Sequence, residues 1–202
     1  MSAISCSPAR RAQRGVVLFI ALIVLVAMSL AGIAMIRSVD TTLGIAGNMA
    51  FRQSTLQSSD QGVKVAYDWL LANSGGNTLQ SDQSVSGYYS SRPGAEPNWY
   101  DIANWNGAVV RPADAAGNTA RYIIHRMCNC SAAPYNGVCQ DGINQNSCGT
   151  FTPATGGAAG GSMQVGSAQF LGATQVYYRI TSRVDGPRNT VSIIQVTVLV
   201  QA

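Results

Sequence analysis

Charge is scarce in this 202-residue chain: Asp, Glu, Lys and Arg together make up 11% of it. From residue 16 to residue 36 there is none. Histidine occurs once, as His125, with no carboxylate near it in sequence. A lone imidazole argues against a histidine metal site or an acid–base centre. No Ser/His/Asp set, metal-ligand cluster or phosphate-cradling glycine loop stands out, so neither enzymatic activity nor a cofactor is expected. Between Arg37 and Pro93 there is no proline, the residue that most strongly interrupts a helix. A basic excess is lacking too, despite the formal charge of +4. Three of the 13 basic residues lie in the first 15 positions and all nine acidic residues follow them. Residues 16–202 therefore hold ten basic against nine acidic side chains, a net charge of +1. Nothing there favours nucleic acid as a partner.

What the chain does have is one long apolar run. Arg10, Arg11 and Arg14 lead to Gly15, and Val16–Ile36 follows with Ser29 as its only hydroxyl. About 20 apolar residues in a helix span the hydrocarbon core of a bilayer. Arginines ahead of the span keep that end cytoplasmic and send the rest outward. The run is too long for the core of a secretory signal peptide, and RSVDTTLGIAGN behind it offers no convincing small-x-small cut. A plain single-pass anchor accounts for the span but gives Gly15 no role.

Behind the span, the chain predicts a continued amphipathic helix over 37–72. Met49, Leu56, Val63 and Leu70 recur every seven residues, and Asn73-Ser74-Gly75-Gly76 stops the helix. The competing expectation is two helices broken near Gly44 and Gly47. Residues 73–202 form the expected exported head. Residues 73–119 read as a long connection, with Tyr88, Tyr89, Trp99, Tyr100 and Trp105 packing the loop onto a sheet or anchoring a partner. Val109-Val110 and Ala120–Met127 read as strands. Val176–Val184 and Thr190–Val200 alternate as a hairpin about Asp185–Asn189. TGGAAGGS at 155–162 reads as a flexible connection. The expected fold class is α+β, with a long N-terminal helix on an antiparallel sheet of about four strands.

Cys6 lies ahead of the span. The other four, Cys128, Cys130, Cys139 and Cys148, fall within 21 residues. In an oxidising compartment this even set predicts two disulfides over the loop 128–148. Cys128–Cys130 is too short a loop. The pairing is then Cys128–Cys139 with Cys130–Cys148, or Cys128–Cys148 with Cys130–Cys139, and spacing does not choose. It is not a usual zinc spacing, and Asp141, Asn144 and Asn146 do not match a calcium-loop pattern, so no metal is expected.

A charged leader ending in Gly15, an uninterrupted apolar helix from Val16 and a polar domain behind it resemble the class III signal of type IV pilins and pseudopilins. The resemblance implies that a prepilin peptidase cuts between Gly15 and Val16, N-methylates Val16 and discards residues 1–15. The helix 16–36 then serves first as a transmembrane anchor and later as filament core. The chain departs from the common pattern. The fifth residue after the cut is Ile20, where the family usually has glutamate. The first is Val16 in place of the frequent Phe, and the usual proline of the membrane half is missing, leaving only Gly32. In the family the glutamate is thought to neutralise a neighbour's terminal amine. A carboxylate in an apolar core is costly unless paired, so Ile20 there points to a subunit with nothing above it.

In this respect the chain resembles PilX-type minor pilins and the K-type pseudopilins of type II secretion. Residues 46–70, AGNMAFRQSTLQSSDQGVKVAYDWL, are also similar to the PilX N-terminal family at Asn48, Arg52, Gln53 and Asp60, although Ser58-Ser59-Asp60-Gln61 replaces its acidic stretch. The resemblance implies a pilin-like fold and a minor pilin that helps to initiate a type IV pilus at its tip, for adhesion or twitching motility. It implies as partners the peptidase, other minor pilins, the major pilin and a large tip adhesin. The inner membrane would hold the subunit before assembly and the cell-surface pilus afterwards. A K-type pseudopilin usually carries a large extra helical domain, for which this chain has no room. A membrane-anchored periplasmic binding domain is the alternative from another class.

Overall fold

The computed structural model describes residues 15–153 and 172–201. Cys6 and the connection 155–162 lie outside them. The chain divides into two compact units, Met1–Met49 and Ala50–Ala202.

One helix, α1 (Val16–Ala72), supplies the described structure of the first unit and enters the second. Gly44 and Gly47 do not break it. The missing proline explains part of this. The hydroxyls of Ser29, Thr41 and Thr42 donate to carbonyls one turn back within the same helix.

In the second unit, the helical residues from 50 onward lie on a six-stranded sheet. Its strands are β1 (Tyr88–Tyr89), β2 (Val109–Val110), β3 (Thr119–Arg126), β4 (Thr150–Phe151), β5 (Gln175–Gly186) and β6 (Thr190–Gln201). The α+β class stands. The sheet is larger than the expected four strands and is mixed, since β1 runs parallel to β3. The two strands not expected, β1 and β4, are each two residues long, too short to display a period of two. Long β5 is the spine, with β3 antiparallel on one side and β6 along its whole other edge. The β5–β6 turn is Pro187-Arg188-Asn189, and both Arg188 and Asn189 adopt positive φ. Arg188 also places its guanidinium 5.3 Å from the Phe51 ring centre.

The buried face of the helix differs from the expected stripe. Thr55, Ser59, Gly62, Ala66 and Leu70 face inward, spaced by three and four residues. Met49 and Leu56 are exposed, while Val63 and Leu70 join the core. Small residues win because helix and sheet approach closely. A Cβ at Gly62 would lie 2.9 Å from the Ser182 hydroxyl. Below this contact, Ala66 and Leu70 pack with Tyr88, Tyr122, Ile124, Val176, Ile180 and Val200.

The opposite face of the sheet is covered by the loop of residues 96–108. Trp99 and Trp105 are buried on Ile123, 5.2 Å apart and edge to face. Trp105 donates to the Trp99 carbonyl and Trp99 to Glu96. Glu96 pairs with Arg179 at 2.8 Å, and Arg183 donates to the Tyr100 carbonyl at 2.7 Å. Of the five aromatic residues singled out in 73–119, Tyr88, Trp99 and Trp105 are core, Tyr89 packs beside them and Tyr100 is exposed.

Candidate functional site

The first candidate is the start of α1. Gly15 occupies an exposed turn directly before Val16, the first helical residue. Val16 and Ile20 are both exposed, as is every other side chain from 16 to 46. The most apolar 18-residue window reaches a mean hydropathy of 3.0. Among the described residues this is the one helix long and apolar enough to cross a membrane, as a single-pass anchor requires. No acidic residue stands in its first turn, and the first acidic residue of the whole chain is Asp40. Over residues 16–36 the helix therefore presents uncharged side chains, apolar but for Ser29, and such a surface is stable only in lipid or against other apolar side chains.

The second candidate is the cysteine loop. The disulfides are Cys128–Cys148 and Cys130–Cys139, the second of the two pairings left open by spacing. They are nested, so one bridge closes the neck and the other ties the interior. Backbone bonds follow the same nesting. Asn129 donates to the Ser147 carbonyl and Cys139 to that of Asn144, and Val138 bridges Gln145. Asp141 accepts from the backbone of Ile143 and Asn144 and from the Asn144 amide. Those bonds hold its carboxyl below the usual range. Asn146 is likewise spent, donating to the carbonyls of Ala133 and Pro134 and accepting from the Cys130 N–H. These three side chains shape the loop. With its interior satisfied, the loop turns Val138 and Ile143 outward, and Ile143 is 83% exposed.

Elsewhere the structure makes polar contacts that sequence patterning did not single out. Where the helix meets the sheet, Asn118 donates to Ser54, Ser58 and Asp114, and Ser58 donates to Asp114. Thr55 bonds Ser192 at 2.8 Å and Ser59 donates to Ser182 at 3.0 Å. The donors from Ser58 and Asn118 lower Asp114 to about 2. The turn residues DAAGN at 114–118 were the available signal. On the other face, His125 stacks on Tyr89 with ring centres 5.3 Å apart. It is a packed sheet residue, as expected of a lone histidine in a strand. Burial works against the charge of Glu96, but donors from Trp99, Gln195 and Arg179, with the Arg179 charge, leave its carboxyl below the ordinary range.

Arg126 also went unremarked. It shares the inward alternation of Tyr122 and Ile124, an unusual place for a cation, and it is buried.

No protein family, curated protein or solved structure matched the chain.

Proposed function

We propose that this protein is a minor pilin of a type IV pilus, of the PilX kind, whose work is assembly and not catalysis. One observation carries the reading. A charge-free helical segment begins one residue after Gly15 and continues without a break into the helix that packs on the head sheet. One continuous helix can thereby belong both to a head outside the membrane and to an apolar rod inside it.

In this reading a prepilin peptidase removes residues 1–15 and methylates Val16. The rod 16–36 waits in the inner membrane, then packs among the rods of other pilins. Lipid tails and neighbouring rods are both apolar, so the transfer costs little and side-chain packing sets specificity. Ile20 leaves the rod without a carboxylate to pair with a terminal amine above it, which suits the tip. The bridged loop, with Val138 and Ile143 outward, is the surface offered to other minor pilins or a tip adhesin.

The direct test compares the protein's mass in strains with and without the prepilin peptidase. Loss of residues 1–15 only where the peptidase is present supports the reading. The same full length in both strains refutes it.

A further inference from the structure

A cavity of about 230 Å³ opens on the head domain beside the end of β3. Arg126 and Tyr178 line it, and they are direct cross-strand partners of β3 and β5. Each side chain is 2% exposed. Arg126 spends Nε on the Ser90 carbonyl, at 2.9 Å, and Nη2 on that of Ala133, at 2.5 Å. Among the described residues Nη1 and the Tyr178 hydroxyl have no hydrogen-bond partner. No carboxylate lies within ion-pair distance of Arg126 among those residues. Asp82, an acidic group that acts on Tyr88, is already bonded to the Ser90 N–H and hydroxyl.

A buried cation without a counter-charge is costly, and two carbonyl acceptors do not neutralise it. Burial also raises the Tyr178 phenol against the opposing Arg126 charge, so the hydroxyl keeps its proton and can donate. A guanidinium N–H and a phenol O–H on neighbouring strands form a pair of donors suited to one carboxylate. Asn77, Gln80, Tyr135 and Asn136 also line the cavity. Its volume falls below the roughly 300 Å³ of drug-sized pockets, which limits the guest to a small acid or a single acidic group.

We propose that this cavity binds a carboxylate, held by Arg126 and Tyr178, either as a small free acid such as an acidic sugar or as an acidic side chain of a peptide. The site does not depend on the assembly reading and would stand if that reading failed.

The test uses the full chain in detergent micelles and binding measured by NMR. Glucuronate and N-acetyl-aspartate amide are the probes, and glucose and N-acetyl-asparagine amide are their neutral counterparts. Saturable binding of at least one acid, with no binding of its neutral counterpart, is expected. Which acid binds distinguishes the two sources. Tyr178→Phe removes a hydroxyl that no described residue bonds, so it should leave the melting temperature unchanged and weaken the acid about tenfold, a typical loss for a hydrogen bond to a charged group. Binding of neither acid, equal binding of acid and neutral probe, or full affinity in Tyr178→Phe would each overturn the proposal.

Discussion

His125 is held neutral by its surroundings. Burial against Tyr89 and the Trp99 loop lowers its pKa to about 4, and the Arg179 charge adds to the effect while Glu96 and Asp82 oppose it. An unfolded imidazole titrates near 6.5. Between those values the unfolded chain binds a proton that the folded chain refuses, so stability falls as pH falls from about 6.5 to about 4, by up to about 3 kcal/mol. Denaturation midpoints across that range should drop for the natural chain and stay nearly level for His125→Phe, which keeps a ring against Tyr89. Equal slopes would show that another group controls the transition. Asp114 governs a lower window. Its folded pKa is depressed, so its contribution is present above its unfolded value of about 4 and disappears as pH approaches about 2. Ser58→Ala removes its first donor and should make that acid limb shallower in the same titration. Sequence placed His125 on a sheet face correctly. Its burial was not legible, because the covering loop, held by Glu96–Arg179 and Arg183–Tyr100, meets β5 some 80 positions along the chain.

The helix–sheet seam is built from residues chosen for size. Gly62 faces Ser182 and Ala120 with no room for a branched side chain. Gly62→Leu should therefore destabilise the head by about 1–3 kcal/mol, the usual cost of overpacking, even though leucine is the better helix former. A melt of the variant in micelles measures it, and an unchanged melting temperature would mean that the seam is looser than described. The disulfides make a separate contribution. Replacing Cys130 and Cys139 together by Ser should cost about 2–4 kcal/mol, because the unfolded loop regains its freedom. Urea midpoints of the natural chain and the double variant under oxidising conditions give the number. At this scale the sequence was legible where elements are long. The β5–β6 hairpin and β3 were expected almost where they lie, and the helix was expected to continue to its glycine stop. The heptad of Met49, Leu56, Val63 and Leu70 misled at its first half because it assumed that apolar residues mark the buried face. Here Thr55, Ser58 and Ser59 mark it, paired through hydroxyls to Ser192, Asp114 and Ser182, together with Gly62 at the close approach. No pattern of hydropathy can report such a face. The cysteine pairing was open for a similar reason, since spacing fixes loop lengths but not which strands bring the neck of the loop together.

On the scale of the whole molecule, one polypeptide carries two solvents' worth of surface. Residues 16–36 are suited to lipid or to other rods, while the head has its own core, its own bridges and a near-neutral charge. That the helix is long and apolar enough to span a membrane was legible, since this needs only composition and length. What the rod packs against was not, because an uncharged helix is equally at home in lipid and in a filament core. The proposed answer is the filament, reached after the leader is cut. Mass spectrometry of this polypeptide recovered from sheared, purified filaments tests that claim most directly. The account predicts a chain that begins at Val16, carries a methyl group on its terminal amine and is present in small amounts. Filaments free of the polypeptide, with the intact chain beginning at Met1 retained in the inner membrane, would contradict it.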